Sequence, residues 1–240
     1  MEGAALVAPR KFTSADVQAA MPADIPQLAV CFSDGFADKT PRCWCLFDCM
    51  TREQARGYDI QTFRKYEAEH PAKISHAGYI RDLDSGEMLG ACQLQLSGDP
   101  GDMSMPGQGK LLEPGHAHLE KVCCAPGHTG QGVGSALLDW AHERARADGA
   151  AHISLQVVGG NRAKGLYQRY GYADESIMAK EARENGKDVA SFGLRTCCTI
   201  GATRSCLCCG IYFCLGCRYV KVDDMIKYLS EPPPQQAMGR

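Results

Sequence analysis

The sequence predicts an α/β fold in which one sheet is covered by helices. Three observations carry that prediction. Residues 76–96 read as two strands around a turn at Asp84-Ser85-Gly86. The stretch from His118 to Ser135 runs as a strand into a glycine-rich turn that opens a patterned helix. A strand over 151–158 and a short helix over 162–170 follow it.

At 240 residues the chain has ample material for one buried core. One domain over 14–229 is expected, between a flexible N-terminus (1–13) and a disordered C-terminus (230–240) that begins near Glu231 and its three prolines. A net charge of −2, with acidic and basic residues interspersed, offers no broad basic face, so nucleic acid is not an expected partner. The apolar stretch after Glu2 is too short for a signal-peptide core, and no run is long enough to span a bilayer. Its 14 cysteines lie below the density of small secreted disulfide scaffolds. The thiols are therefore read as mostly reduced, in a cytoplasmic setting.

In chain order, a short strand near 17–20 precedes a helix in which Ile25, Leu28, Ala29 and Phe32 recur at helical spacing behind Asp24, a residue able to cap. Residues 51–69 form a second, more polar helix with Ile60, Phe63 and Tyr66 as its apolar stripe. Cys43, Trp44, Cys45, Leu46, Phe47 and Cys49, between the two, are expected to pack beneath a substrate-side loop. In the hairpin, Cys92, Leu94 and Leu96 alternate toward one face. The following loop, 97–115, is long enough to suggest a functional role in covering a site. Beyond Ser135, Ala136, Leu137, Leu138, Trp140, Ala141 and Ala145 define an amphipathic helix that Gly149 can end as a left-handed cap. Ile153, Leu155 and Val157 alternate as a strand, and the last short helix stops at Gly171.

The glycine-rich turn suits an anion. Gly130, Gly132 and Gly134 lack a Cβ, so the backbone can take positive φ and approach a ligand closely. The N–H groups that open the next helix have no intrahelical acceptor and sit at the positive end of its dipole. A dinucleotide-binding unit shares this strand–turn–helix design. Its G-x-G-x-x-G spacing is absent here, and the turn comes after a hairpin instead of on the first strand.

Gln131-Gly132-Val133-Gly134-Ser135-Ala136-Leu137-Leu138, followed by Leu166-Tyr167-Gln168-Arg169-Tyr170-Gly171-Tyr172, resembles the GNAT superfamily of acetyl-CoA-dependent N-acetyltransferases. The likeness is clearest over 116–172, while the helix after Asp24 and the 76–96 hairpin suit the family layout. Residues 1–13 and 173–218 match no motif. The resemblance implies a mixed, mostly antiparallel central sheet flanked by helices, here with a cysteine-rich insertion (about 195–218) before the last strand. It implies acetyl-CoA as co-substrate, with no metal required for catalysis. Thr129, Gly130, Gln131, Gly132, Val133, Gly134 and Ser135 would hold the pyrophosphate, and backbone groups of Val122 and Cys124 would bind pantetheine and polarise the thioester carbonyl. Thr129 departs from the family's usual Arg or Gln, which puts more of the anion's binding on backbone amides.

Acetyl transfer requires an amine to lose its proton, attack a thioester carbonyl and expel a thiolate that is then protonated. His116, His118 and Glu120 alternate on one strand and so share a face. The arylalkylamine N-acetyltransferase branch carries two histidines at the positions of His118 and Glu120, which adds some likeness to that branch. His118 is the first candidate base, since an imidazole titrates near neutral pH. Glu120 is the second; it could orient His118, accept the proton itself or bind a cationic substrate. The alternative is that both are ordinary polar residues at a strand end. His116 is expected at the surface. By resemblance, Tyr167 is the general acid beside the CoA sulfur, while Tyr170 and Tyr172 serve packing. Asn161 lies six residues before Tyr167 instead of the family's seven, so it caps the following helix or reaches CoA. Cys123 and Cys124 adjoin the expected thioester, yet the family transfers directly and neither cysteine has an evident activating partner.

Seven of the 14 cysteines fall at 197–198 and 206–217, where Cys206 and Cys209, then Cys214 and Cys217, form two C-x-x-C pairs. Their separation is far shorter than in a zinc ribbon. A thiolate metal site, a lipid-modified patch touching membrane, and an unmodified apolar hairpin compete; Leu207, Ile211, Tyr212, Phe213 and Leu215 favour the last two, and the hairpin is preferred. No metal ligand set is assigned. The stretch 219–229 reads as the final strand.

The expected function is direct transfer of the acetyl group from acetyl-CoA to a primary amine of a small molecule. Transfer to a protein lysine or amino terminus, and a non-catalytic CoA-binding or membrane-adaptor module, are the alternatives. The expected partners are acetyl-CoA and an amine acceptor, with membrane contact through the cysteine-rich tail left open and the oligomeric state undefined.

Overall fold

The computed structural model describes residues 12–37, 51–101, 112, 114–158, 161–174 and 222–229. The cysteine-rich stretch 195–218, the segment 43–49 and most of the 97–115 loop lie outside them. Strands β1 (Gln18–Ala19), β2 (Ala77–Arg81), β3 (Met88–Gln95), β4 (His116–Cys124), β5 (His152–Val158), β6 (Ala173–Asp174) and β7 (Val222–Tyr228) form one sheet in the order β1-β2-β3-β4-β5-β7-β6. Every pair is antiparallel except β4 with β5. This is the mixed, mostly antiparallel sheet expected. β6 is too short for its sequence pattern to announce it, and β7 enters between it and β5.

Helices α1 (Ile25–Ala37) and α2 (Arg52–Glu69) cover one face of the sheet, and α3 (Val133–Ala147) covers the other, with α4 (Ala163–Arg169) joining the α3 side. Leu28, Phe32, Phe63 and Tyr66 meet β2 and β3 in one core. Ala136, Leu137, Leu138 and Ala141 meet Cys92, Leu94, Leu119, Ile153 and Leu155 in the other. α2 begins at a capping box in which the Thr51 hydroxyl accepts the Gln54 backbone amide (3.1 Å) and the Gln54 side-chain Oε1 accepts the Thr51 backbone amide (2.8 Å). Gly149 and Gly171, both at φ +83°, end α3 and α4 as expected.

Asp24 does not cap α1. Its carboxylate accepts the Met21 amide at 2.9 Å and pairs with Arg81 at 3.2 Å, so it closes the 3-10 turn Pro22–Asp24 and ties that turn to β2. The expectation of membrane contact through the cysteine-rich tail is also corrected. Among the described residues no helix is long and apolar enough to cross a membrane. The apolar stripes of α1 and α3 are spent on the two cores, and α2, the longest of the helices described, is strongly charged on its outer face.

Close approach of α3 to the sheet depends on Gly90, which pairs with Cys124. A Cβ there would lie 2.5 Å from Val133 Cγ1 and 2.7 Å from the Cys123 carbonyl oxygen, a backbone atom that cannot yield cheaply. Gly90→Ala is expected to lower stability by about 1–3 kcal/mol. Gly57→Ala, in the middle of α2 with nothing within 4 Å of the added atom, is expected to raise it by about 0.4–1 kcal/mol. Urea unfolding midpoints at unchanged slope would show both.

Candidate active site

The site begins with a fault in β4. Gln93 of β3 faces Lys121, but its neighbour Leu94 faces Leu119, so Glu120 is an extra residue on β4. On the other side, β4 and β5 pair only from His116↔His152 to Leu119↔Leu155. Beyond that pair β5 continues to Val158 alongside β7, and the two parallel strands part. A cleft of about 140 Å³ opens between them, lined by Leu119, Glu120 and Val122 of β4, Leu155 and Val157 of β5, Asn161, Tyr167 of α4, and Phe36 of α1. Four of the expected site residues (Glu120, Val122, Asn161 and Tyr167) thus share one cavity.

The bulge sends Glu120 and Lys121 toward the α1–α2 side. Lys121 meets Asp59 of α2 at 2.6 Å. Glu120 meets the ammonium of Lys73 at 2.9 Å, with the two side chains 5% and 0% exposed. Lys73 also donates to the Pro100 carbonyl at 2.5 Å and lies over the Tyr66 ring. A lysine so buried is tolerated because its charge is paired and its donors are used. Nothing in its local sequence marked Lys73 as part of the site. The same network fastens the start of the loop after β3: His76 Nδ1 lies 2.6 Å from Asp99, and Asp99 accepts the Leu96 amide.

His118 sits one register pair before the cleft opens, directly opposite Ser154, and is not among the cleft's lining residues. Its Nδ1 lies 2.8 Å from the Ser154 hydroxyl, and Nε2 of His116 lies 2.7 Å from the same oxygen. His116 is therefore half-buried and engaged, not a surface residue; its ring stacks on His152 at 4.4 Å. Burial lowers the His118 pKa to about 4, assisted by the nearby His116 and Lys73 charges. Burial and His152 lower that of His116 to about 4 as well. Both imidazoles are neutral at pH 7. Ser154 is a second residue that sequence reasoning missed, its only signal being a hydroxyl among the apolar alternation of β5.

Tyr167 is buried, edge-on to Tyr172 at 5.9 Å. Burial raises its pKa, with the neighbouring Cys124 and Cys123 thiols adding to the effect. The phenol keeps its proton at any physiological pH. Tyr172 contacts His142 through its hydroxyl (2.9 Å), and the Tyr170 hydroxyl lies 3.2 Å from the Ser135 carbonyl, tying α4 to the first turn of α3. The Asn161 side chain accepts the Ala163 amide at 2.9 Å, so it caps the start of α4 while lining the cleft.

In the glycine-rich turn, Gly130 and Gly132 take φ of +83° and +89°, whereas Gly134 is helical. Gly134 is instead a contact point: a Cβ there would meet Leu166 at 3.4 Å and Cys124 Sγ at 3.6 Å. Gly132 is the N-cap of α3 and supplies no side-chain acceptor. The amides of Val133, Gly134 and Ser135 therefore open the helix without a side-chain cap. Thr129 and Gly130 are exposed, and Gln131 folds back with its amide 3.4 Å from the Gly127 carbonyl. Val122 and Cys124 lie on β4 beyond its last pair with β5. Cys123 points the other way, against Cys31 of α1. Among the described residues no group of three or more His, Cys, Asp or Glu could hold a metal ion.

The profile of the acetyltransferase (GNAT) family matches residues 38–172. None of the curated proteins compared with the chain matches it. Among solved structures, a candidate phosphinothricin N-acetyltransferase is 14% identical, with 90% of this chain and 98% of that one covered and a TM-score of 0.52. Ard1 from Thermoplasma volcanium is 13% identical, with 90% and 97% covered and a TM-score of 0.50. The N-acetylglutamate synthase from Neisseria gonorrhoeae is 14% identical at a TM-score of 0.46, and the chain spans 35% of its length. For the first two, at these identities, the likeness is one of fold.

The lowered histidines carry a stability prediction. His116 and His118 titrate near 4 and His142 near 3 when folded, against about 6.5 unfolded. Below pH 6.5 the unfolded chain binds more protons than the folded one, so their contribution is complete above that pH and is lost as pH falls from 6.5 toward 4, and toward 3 for His142. The thermal midpoint is expected to drop across that window, and His142→Gln is expected to flatten the drop relative to its own value at pH 7.5.

Proposed function

Because the chain belongs to the GNAT family of acetyl-CoA-dependent acetyltransferases, we propose that it transfers the acetyl group of acetyl-CoA directly to a primary amine of a small molecule. The observation that carries this reading is the parting of β4 from β5, which puts Glu120 and Tyr167 on one cleft. Pantetheine occupies the cleft against the β4 backbone at Val122 and Cys124. The pyrophosphate rests on the amides of 129–135, where two positive-φ glycines and the uncapped start of α3 suit an anion. Thr129 adds a hydroxyl in place of a cation.

An alkylammonium must lose a proton before it can attack, and Glu120, held by Lys73, draws the cation to the mouth of the cleft. His118 accepts the proton through water. The free amine adds to the thioester carbonyl, and the carbon–sulfur bond breaks as the tetrahedral intermediate collapses. Tyr167, kept protonated by burial, donates to the departing thiolate and is reprotonated from solvent. The His118–Glu120 face, with its likeness to the arylalkylamine branch, supports a small acceptor over a protein lysine or amino terminus. A cytoplasmic setting suits the free thiols of Cys31, Cys92, Cys123 and Cys124.

Acetyl-CoA consumption measured against a panel of small amines and of lysine- or N-terminal peptides tests the reading, with turnover expected on the amines. Turnover on peptides alone would move the acceptor to protein, and CoA binding without turnover would make the chain a non-catalytic module. Tyr167→Phe is expected to lower kcat on the order of 10²-fold with little change in the KM for acetyl-CoA. Glu120→Gln is expected to raise the KM for the amine. A Tyr167→Phe enzyme at the parent rate would sink the general-acid assignment.

A further inference from the structure

A base with a conjugate-acid pKa near 4, as in His118, does not hold a proton at pH 7. It can serve in turnover only if the proton moves on at once, and the structure offers a route. His118 Nδ1 and His116 Nε2 both lie within hydrogen-bond reach of one atom, Ser154 Oγ, at 2.8 and 2.7 Å. His118 and Ser154 are register partners one pair before the ladder ends at the cleft. His116 begins β4, its ring stacked on His152, which is followed at 6.1 Å by the exposed ring of Tyr228. The row runs from the closed side of the cleft to the open end of the sheet.

We propose that the Ser154 hydroxyl joins His118 to His116 in a proton relay that carries the acceptor amine's proton from the cleft to solvent. This rests on His118 as the proton acceptor. In the relay the hydroxyl gives its one hydrogen to one imidazole and accepts from the other. With both histidines neutral, two arrangements satisfy it: both rings carry their proton on Nδ1, or both carry it on Nε2. Starting from the first, His118 Nε2 takes the incoming proton and its Nδ1–H passes to Ser154 Oγ. The Ser154 hydrogen passes to His116 Nε2, and the His116 Nδ1–H leaves to water. One proton enters and one leaves, no group retains a charge, and the pair ends in the second arrangement. Tautomer exchange with water resets it. Ser154 and His116 are thus relay residues that touch neither acetyl-CoA nor acceptor.

The test uses the full chain. ¹⁵N NMR of histidine-labelled protein, with His116 and His118 assigned from His→Gln variants, is expected to find the two rings in the same tautomer and to find that match lost in Ser154→Ala. In turnover, Ser154→Ala is expected to lower kcat by roughly 10-fold or more at unchanged KM for acetyl-CoA, as loss of a proton-transfer group does. The solvent-isotope proton inventory should change from curved to linear, and Ser154→Thr should restore rate and curvature. Opposite tautomers in the parent protein, or full turnover in Ser154→Ala, overturn the relay. If His118→Ala is slow while Ser154→Ala is not, the relay falls and His118 stands as base; if both run at the parent rate, His118 falls with it.

Discussion

One inserted residue in β4 organises this molecule. At Glu120 the strand gains a residue against β3, and one position earlier its pairing with β5 ends. The bulge also changes which side chains face which core. Ala117 and Leu119 point to α3 before it, and Val122 and Cys124 keep that direction after it, where a regular strand would have reversed. Without the bulge, Val122 would turn toward α1 and α2, and the cleft would lose its apolar wall.

The charges around this fault are held by burial and pairing together. Lys73 reaches Glu120 from the 3-10 turn Pro71–His76, and Asp59 reaches Lys121 from α2. Such pairs add little net stability, because desolvation offsets most of the attraction, but breaking one leaves a buried charge that the fold tolerates poorly. Their effect is to fix position. Lys73 ties the carboxylate at the cleft to the Pro100 carbonyl, so the loop after β3 and the site are aligned by the same ammonium.

The other titratable groups beside the cleft are neutral. Burial holds the phenol of Tyr167 protonated and the imidazoles of His116 and His118 unprotonated at pH 7. An interior that stores no mobile charge suits a reaction in which a proton leaves the amine and another arrives at sulfur, provided each has a donor or acceptor at hand. The hydroxyl of Ser154, bridging two rings, is the feature that makes the acceptor side continuous.

Read alone, the sequence determined whatever depends on neighbours a few residues apart. The hairpin over Asp84-Ser85-Gly86, the glycine turn with Gly130 and Gly132 at positive φ, the stripe of α3 and the stops at Gly149 and Gly171 all follow from backbone requirements and side-chain period. The order of the glycine turn and the Leu166–Tyr172 motif pointed to the family. Tertiary structure decided what joins remote segments: Lys73 on Glu120, Ser154 between His118 and His116, Arg81 rather than a helix end on Asp24, and Asn161 as a cap that also lines the cleft. Those contacts depend on strand register and on where β4 bulges. A period-2 pattern cannot announce a single inserted residue, although that residue reassigns every side chain after it.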